Sequence, residues 1–126
     1  MTNPSLTRYV LQLDVLERNH TLSDAVAVSL LRSEFELALN ASYFRMLSDH
    51  IAVDVLSREF PQDGVARYIV VLELEERTPM TDEQAAELVC RECHRAQNAS
   101  HFIRISHEDF CAKLLARDVA VAPVGG

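Results

Sequence analysis

The stretch Leu22 to Leu47, LSDAVAVSLLRSEFELALNASYFRML, decides the fold. Leu31, Phe35 and Leu39 recur every four residues, the spacing of one helix face. Phe35, Leu37 and Leu39 also alternate with Glu34, Glu36 and Ala38, the spacing of a half-buried strand. A helix here gives the order β-α-β-β-α-β. A strand gives an antiparallel sheet of about four strands followed by two C-terminal helices packed on one face. Both are α+β, and the strand reading is preferred.

Outward from this stretch, period-two patterns mark Tyr9 to Leu16, Ile51 to Leu56 and Ala66 to Glu75 as strands. Pro61-Gln62-Asp63-Gly64 is a turn signal that joins the last two as a hairpin. Thr81-Asp82-Glu83-Gln84 is a capping box, and Ala85, Leu88, Val89 and Cys93 follow it as an apolar helical stripe. A second helix is expected from Ser106, burying Phe110, Leu114 and Leu115. The chain reads without a low-complexity tract or an internal repeat. A single domain over 1–126 is expected, with flexible termini at 1–7 and 119–126.

The chain has 126 residues, 12 Lys+Arg against 19 Asp+Glu and a net charge of −7. At 48% apolar and 25% charged it has the composition of a folded domain. The acidic balance argues against nucleic acid as a partner, since phosphate contacts need basic side chains. No apolar run is long enough to span a membrane, and Met1 to Ser5 lacks the start of a signal peptide. An odd set of three cysteines does not suggest a disulfide framework, so a cytoplasmic location is expected. Three glycines, Gly64, Gly125 and Gly126, cannot build a glycine-rich phosphate loop.

Cys90-Arg91-Glu92-Cys93-His94 has the spacing of a haem-attachment motif, but it lies inside a helical pattern and lacks an export signal. Cys90, Cys93, His107 and Cys111 have roughly the spacing of a two-pair zinc site, with soft thiolates and an imidazole as donors. Buried cysteines that pack as small hydrophobes are the preferred reading, so no metal and no cofactor are expected. His107 and Cys111 are also spaced for a Cys–His pair on a helix, but no third group completes a catalytic set and no enzyme is expected.

Three stretches carry a family resemblance. Glu34 to Asn40 followed by Leu47 to Val55 reads as a short alternating strand, a polar turn and a long strand. Cys90-Arg91-Glu92-Cys93 lies on the long helix, and Ile103 to Phe110 with Leu114-Leu115 opens the last one. In this order the chain resembles the SecB export-chaperone family and its SecB-like relatives. The resemblance implies a noncatalytic homo-oligomer that holds unfolded or partner polypeptide in apolar and aromatic grooves. Tyr43, Phe44, Met46 and Leu47 are the candidate polypeptide-binding residues, set against their reading as core. A competing reading is a ferredoxin-like regulatory domain, β-α-β-β-α-β, that binds a small ligand or a partner along its sheet. A third is a small zinc protein using the cysteines and His107. A single lysine, Lys113, leaves the sheet edges poorly guarded, so a homodimer or homotetramer is expected.

Overall fold

The computed structural model describes residues 6–17, 22–106, 108 and 110–120. In chain order they form β1 (Leu6–Leu16), α1 (Asp24–Asn40), β2 (Ile51–Gln62), β3 (Val65–Leu74), α2 (Asp82–Asn98) and β4 (Lys113–Ala120). The four strands make one antiparallel sheet in the order β2-β3-β1-β4. The protein is therefore α+β, as expected, but in the β-α-β-β-α-β order.

Two expectations about the elements are corrected. The stretch from Leu22 is helix, so α1 stands between β1 and β2 and the helices are not both C-terminal. Ser23 caps α1, its hydroxyl accepting from the Val26 N–H at 3.3 Å. The buried residues are Ala27, Leu31, Glu34, Phe35 and Ala38, a helical series. Leu37, which a strand would have buried beside Phe35, is exposed, while Glu34 is buried. Four-residue spacing thus prevails over alternation. The second correction concerns the helix expected from Ser106. Residues 113–120 are β4, in which Leu114 is half-buried and Leu115 exposed. As neighbours on a strand they face opposite sides of the sheet, and Leu115 is the extra residue of a bulge in β4.

The capping box forms where the sequence places it, and the hairpin forms with a shorter turn than the sequence reading gives, because Pro61 and Gln62 belong to β2. Asp63 and Gly64 turn β2 into β3, with Gly64 at φ 81°. Thr81 and Gln84 close the reciprocal box at the start of α2. Alternate residues of β1 and β3, among them Tyr9, Leu11, Leu13, Tyr68, Val70 and Leu72, join the buried faces of both helices in one core cluster.

The chain is a duplication, which the sequence reading missed. Arg8-Tyr9 opens β1 as Arg67-Tyr68 opens β3. Asn40-Ala41-Ser42-Tyr43-Phe44 ends α1 as Asn98-Ala99-Ser100-His101-Phe102 ends α2. Both helices have 17 residues. Exchanging the halves carries Leu11 onto Val70, its own cross-strand partner, so a pseudo-twofold axis passes between these two residues. The bulges obey the same relation. Leu56 is skipped between Val55 and Ser57 as they pair with Val70 and Ile69, and Leu115 between Leu114 and Ala116 as they pair with Leu11 and Val10.

Candidate functional site

Each bulge re-aims one arginine. Val55 points inward, so strict alternation would send Arg58 outward. The extra residue shifts the phase and Arg58 turns into the core. There its Nε and Nη2 clamp the Glu17 carboxylate at 3.1 and 2.5 Å, while Nη1 reaches the Leu22 carbonyl and Asp24 Oδ1, both at 2.9 Å. The Tyr68 hydroxyl donates to the same glutamate. The second half repeats the device. Arg117 clamps Glu76 at 2.8 and 2.6 Å and reaches the Met80 carbonyl at 3.0 Å and Asp82 at 2.8 Å, and Tyr9 donates to Glu76. Each arginine therefore bolts a strand end to the first turn of a helix, whose positive end also favours Asp24 or Asp82.

Burial disfavours the charged form of Glu76, but hydrogen bonds from Arg117 and Tyr9 outweigh it and hold its pKa below the ordinary 4.5. A hydrogen bond from Arg67 likewise lowers Asp14. Burial, then the hydrogen bonds to glutamate, pushes Tyr9 and Tyr68 above the ordinary 10.0. A lowered carboxylate pKa stabilises the fold above its unfolded value, and that stability is lost as pH falls through the folded value. A raised tyrosine pKa stabilises below 10.0 and is lost as pH rises past it. Urea midpoints are expected to stay flat from about pH 5 to pH 9 and to drop on both sides. A midpoint that rises below pH 4 would contradict these assignments.

The opposite alternates of the strands form a separate surface. Val10 and Gln12 of β1 and Ile69 of β3 are half-buried, and Val71 is buried between its neighbours. The two bulge residues extend this strip to the edge strands, with Leu56 56% and Leu115 46% exposed. Charges frame it in a pseudo-symmetric pattern. Arg67 grips Asp14 at 2.9 and 3.1 Å, and the equivalent Arg8 lies 4.0 Å from Glu73.

The candidate polypeptide-binding residues divide between core and surface. Phe44 and Leu47 are fully buried, Tyr43 is half-buried, and Met46 is 57% exposed. The turn that holds them is tight. Ser42 and Phe44 have φ of 75° and 68°, and the Tyr43 N–H closes back on the Ala38 carbonyl at 3.0 Å. The Phe44 N–H donates to buried Glu92 at 3.0 Å, and the Phe44 ring joins Phe35, which meets Phe102 edge-on. Tyr43 meets its pseudo-symmetric counterpart His101 edge-on at 5.2 Å.

Of the candidate metal ligands, Cys90 and Cys111 come together and Cys93 does not. Cys93 is buried in the core, and burial pushes its thiol up to about 12. Cys90 and Cys111 are joined in a disulfide with Cα atoms 5.2 Å apart, which corrects the expectation of unpaired thiols. His107 lies outside the described residues. His94 stands where His107 was proposed: the donor atoms of Cys90, His94 and Cys111 all lie within 4.8 Å of one another. The i, i+4 spacing of Cys90 and His94 on α2 was the available signal. The helical pattern expected from Ser106 hides the approach of Cys111.

The fold and these surfaces define an α+β protein of two duplicated halves with a two-sided sheet. No family model, no curated protein and no solved structure matches the chain. No helix among the described residues is long and apolar enough to cross a membrane.

Proposed function

We propose that the protein is a noncatalytic protein-binding module, ferredoxin-like in arrangement, that takes another polypeptide on the sheet face its helices leave uncovered, with a second copy of the chain as the first occupant. The apolar strip of Val10, Leu56, Ile69, Val71 and Leu115 carries this reading. Contiguous apolar surface framed by charge marks association sites. The frame is self-complementary, because each corner offers one arginine and one carboxylate. Both edge strands are bulged, a device that discourages edge pairing, so the face is favoured over the edges. Binding through residues 43–47, as in the holdase reading, fits less well because Phe44 and Leu47 are core.

Light scattering is expected to give twice the chain mass at micromolar concentration. Leu56→Asp with Leu115→Asp is expected to give the single-chain mass with unchanged circular dichroism, since both side chains are exposed. A wild type that is monomeric throughout this range would overturn the reading.

A further inference from the structure

We propose that Cys90, His94 and Cys111 form a zinc site in the reduced protein, and that the Cys90–Cys111 disulfide is the metal-free state of the same site. Two thiolates and an imidazole are a donor set that zinc prefers. Bond lengths of about 2.3 Å to sulfur and 2.1 Å to nitrogen place tetrahedral donors roughly 3.6–3.8 Å apart. The three donor atoms already lie within 4.8 Å. Opening the disulfide and a small inward turn of the imidazole therefore complete the set, and the fourth position stays open to water.

The approach of Cys111 is fixed by the backbone beside it. The Gln97 side chain on α2 accepts from the Phe110 N–H at 2.8 Å and donates to the Phe110 carbonyl, which pins the chain one residue before Cys111. Phe110 itself is buried against Phe102.

The duplication supplies an independent argument. Arg32, Glu36 and Ala52 occupy the places of Cys90, His94 and Cys111 in the first half. There the same helix and the same strand start form without a cysteine or a histidine, and Arg32 makes only an exposed 3.9 Å contact with Asp54. The fold does not require the three donors, yet the second half places all of them within reach of one ion. Cys93, by contrast, aligns with core residue Phe35 and serves as packing.

Zinc binding releases the two thiol protons. Hydrogen peroxide closes the site: the two thiolates give up two electrons, the S–S bond forms and the O–O bond breaks. Two protons are taken up, two waters leave, and zinc is released. The metal-bound and disulfide forms are mutually exclusive.

Cobalt(II) titration of the reduced, metal-free chain tests this directly. One equivalent is expected to give tetrahedral d–d bands with thiolate-to-cobalt charge transfer, and zinc is expected to displace it. Cys90→Ser and Cys111→Ser are expected to lose the charge-transfer signature of two thiolates. His94→Ala is expected to weaken binding by at least roughly tenfold, the scale on which even the supporting partners of metal ligands act. Cys93→Ser is expected to bind as wild type does, and peroxide is expected to release one zinc per chain to a chelating dye. Absence of charge transfer in the reduced wild type would overturn the proposal, as would its full retention in Cys111→Ser or its loss in a folded Cys93→Ser. If a Cys90 or Cys111 variant does not fold, the His94→Ala affinity and the peroxide release decide: an unchanged affinity or no release overturns it. The outcome is independent of the sheet-face reading, because none of the three donors belongs to the apolar strip.

Discussion

Arg58→Ala is expected to destabilise the protein by about 3–5 kcal/mol, read as a shift in urea midpoint at pH 7. The Arg58 and Glu17 side chains are each only 2% exposed. Removing the guanidinium leaves the buried Glu17 carboxylate uncompensated, with only the Tyr68 hydroxyl as donor, and takes the donor from the Leu22 carbonyl and Asp24 at the start of α1. The pair is nevertheless weak evidence that charge as such stabilises this core, because desolvation offsets much of its attraction. The triple change Arg58→Met, Glu17→Leu and Tyr68→Phe, which leaves no orphaned partner among these three side chains, is therefore expected to recover most of the loss. Arg117→Ala is expected to cost less, because Arg117 and Glu76 are 11% and 12% exposed and water reaches the vacated carboxylate. A loss below about 1 kcal/mol for Arg58→Ala, the scale of a surface ion pair, would contradict the buried-clamp account.

Phe102→Ala is expected to cost about 3–5 kcal/mol, as large aromatic truncations in a closed core do. Phe102 is the hub of the aromatic group, with ring centroids 4.9 Å from Phe35 and 5.4 Å from Phe110, both edge-on. Phe44→Ala is expected to lose a similar amount, since Phe44 is its pseudo-symmetric equivalent and is equally buried. Met46→Ala, two residues away and exposed, is expected to stay within about 0.5 kcal/mol. Thermal or urea melts of these three variants separate a core role for residues 43–47 from a surface role. Near-neutral Phe44→Ala would contradict the core assignment.

Where local chemistry was sufficient, the sequence was legible. The alternating strands, the Asp63-Gly64 turn and the Thr81 capping box each follow from a few neighbouring residues, and the structure has all of them. Leu22 to Leu47 was not decidable locally, because Phe35 and Leu39 satisfy both periods and only the exposure of Leu37 and the burial of Glu34 distinguish them. Burial of Glu34 follows from tertiary placement, since its carboxylate accepts from Arg104 across the molecule at 3.2 Å. The bulges were equally invisible. A bulge inserts one residue without any fixed residue type, and it alone explains why Arg58 is buried. The duplication was legible in principle: Arg-Tyr at positions 8 and 67 and the Asn-Ala-Ser turns at 40 and 98 are the surviving marks. Of the four donors read for a zinc site, Cys90 and Cys111 meet, and His107 lies outside the described residues. Cys93 faces the core, and His94 faces Cys111 only because residues 113–120 are a strand rather than a helix.

Methyl NMR over a dilution series tests the central claim, association through the uncovered sheet face, most directly. Signals of Val10, Leu56, Ile69, Val71 and Leu115 are expected to shift together as the concentration falls through the dimer's dissociation range, while Leu37 and Met46 stay fixed. Shifts confined to Met46 and its neighbours, or none in the strip while the mass falls, would contradict it.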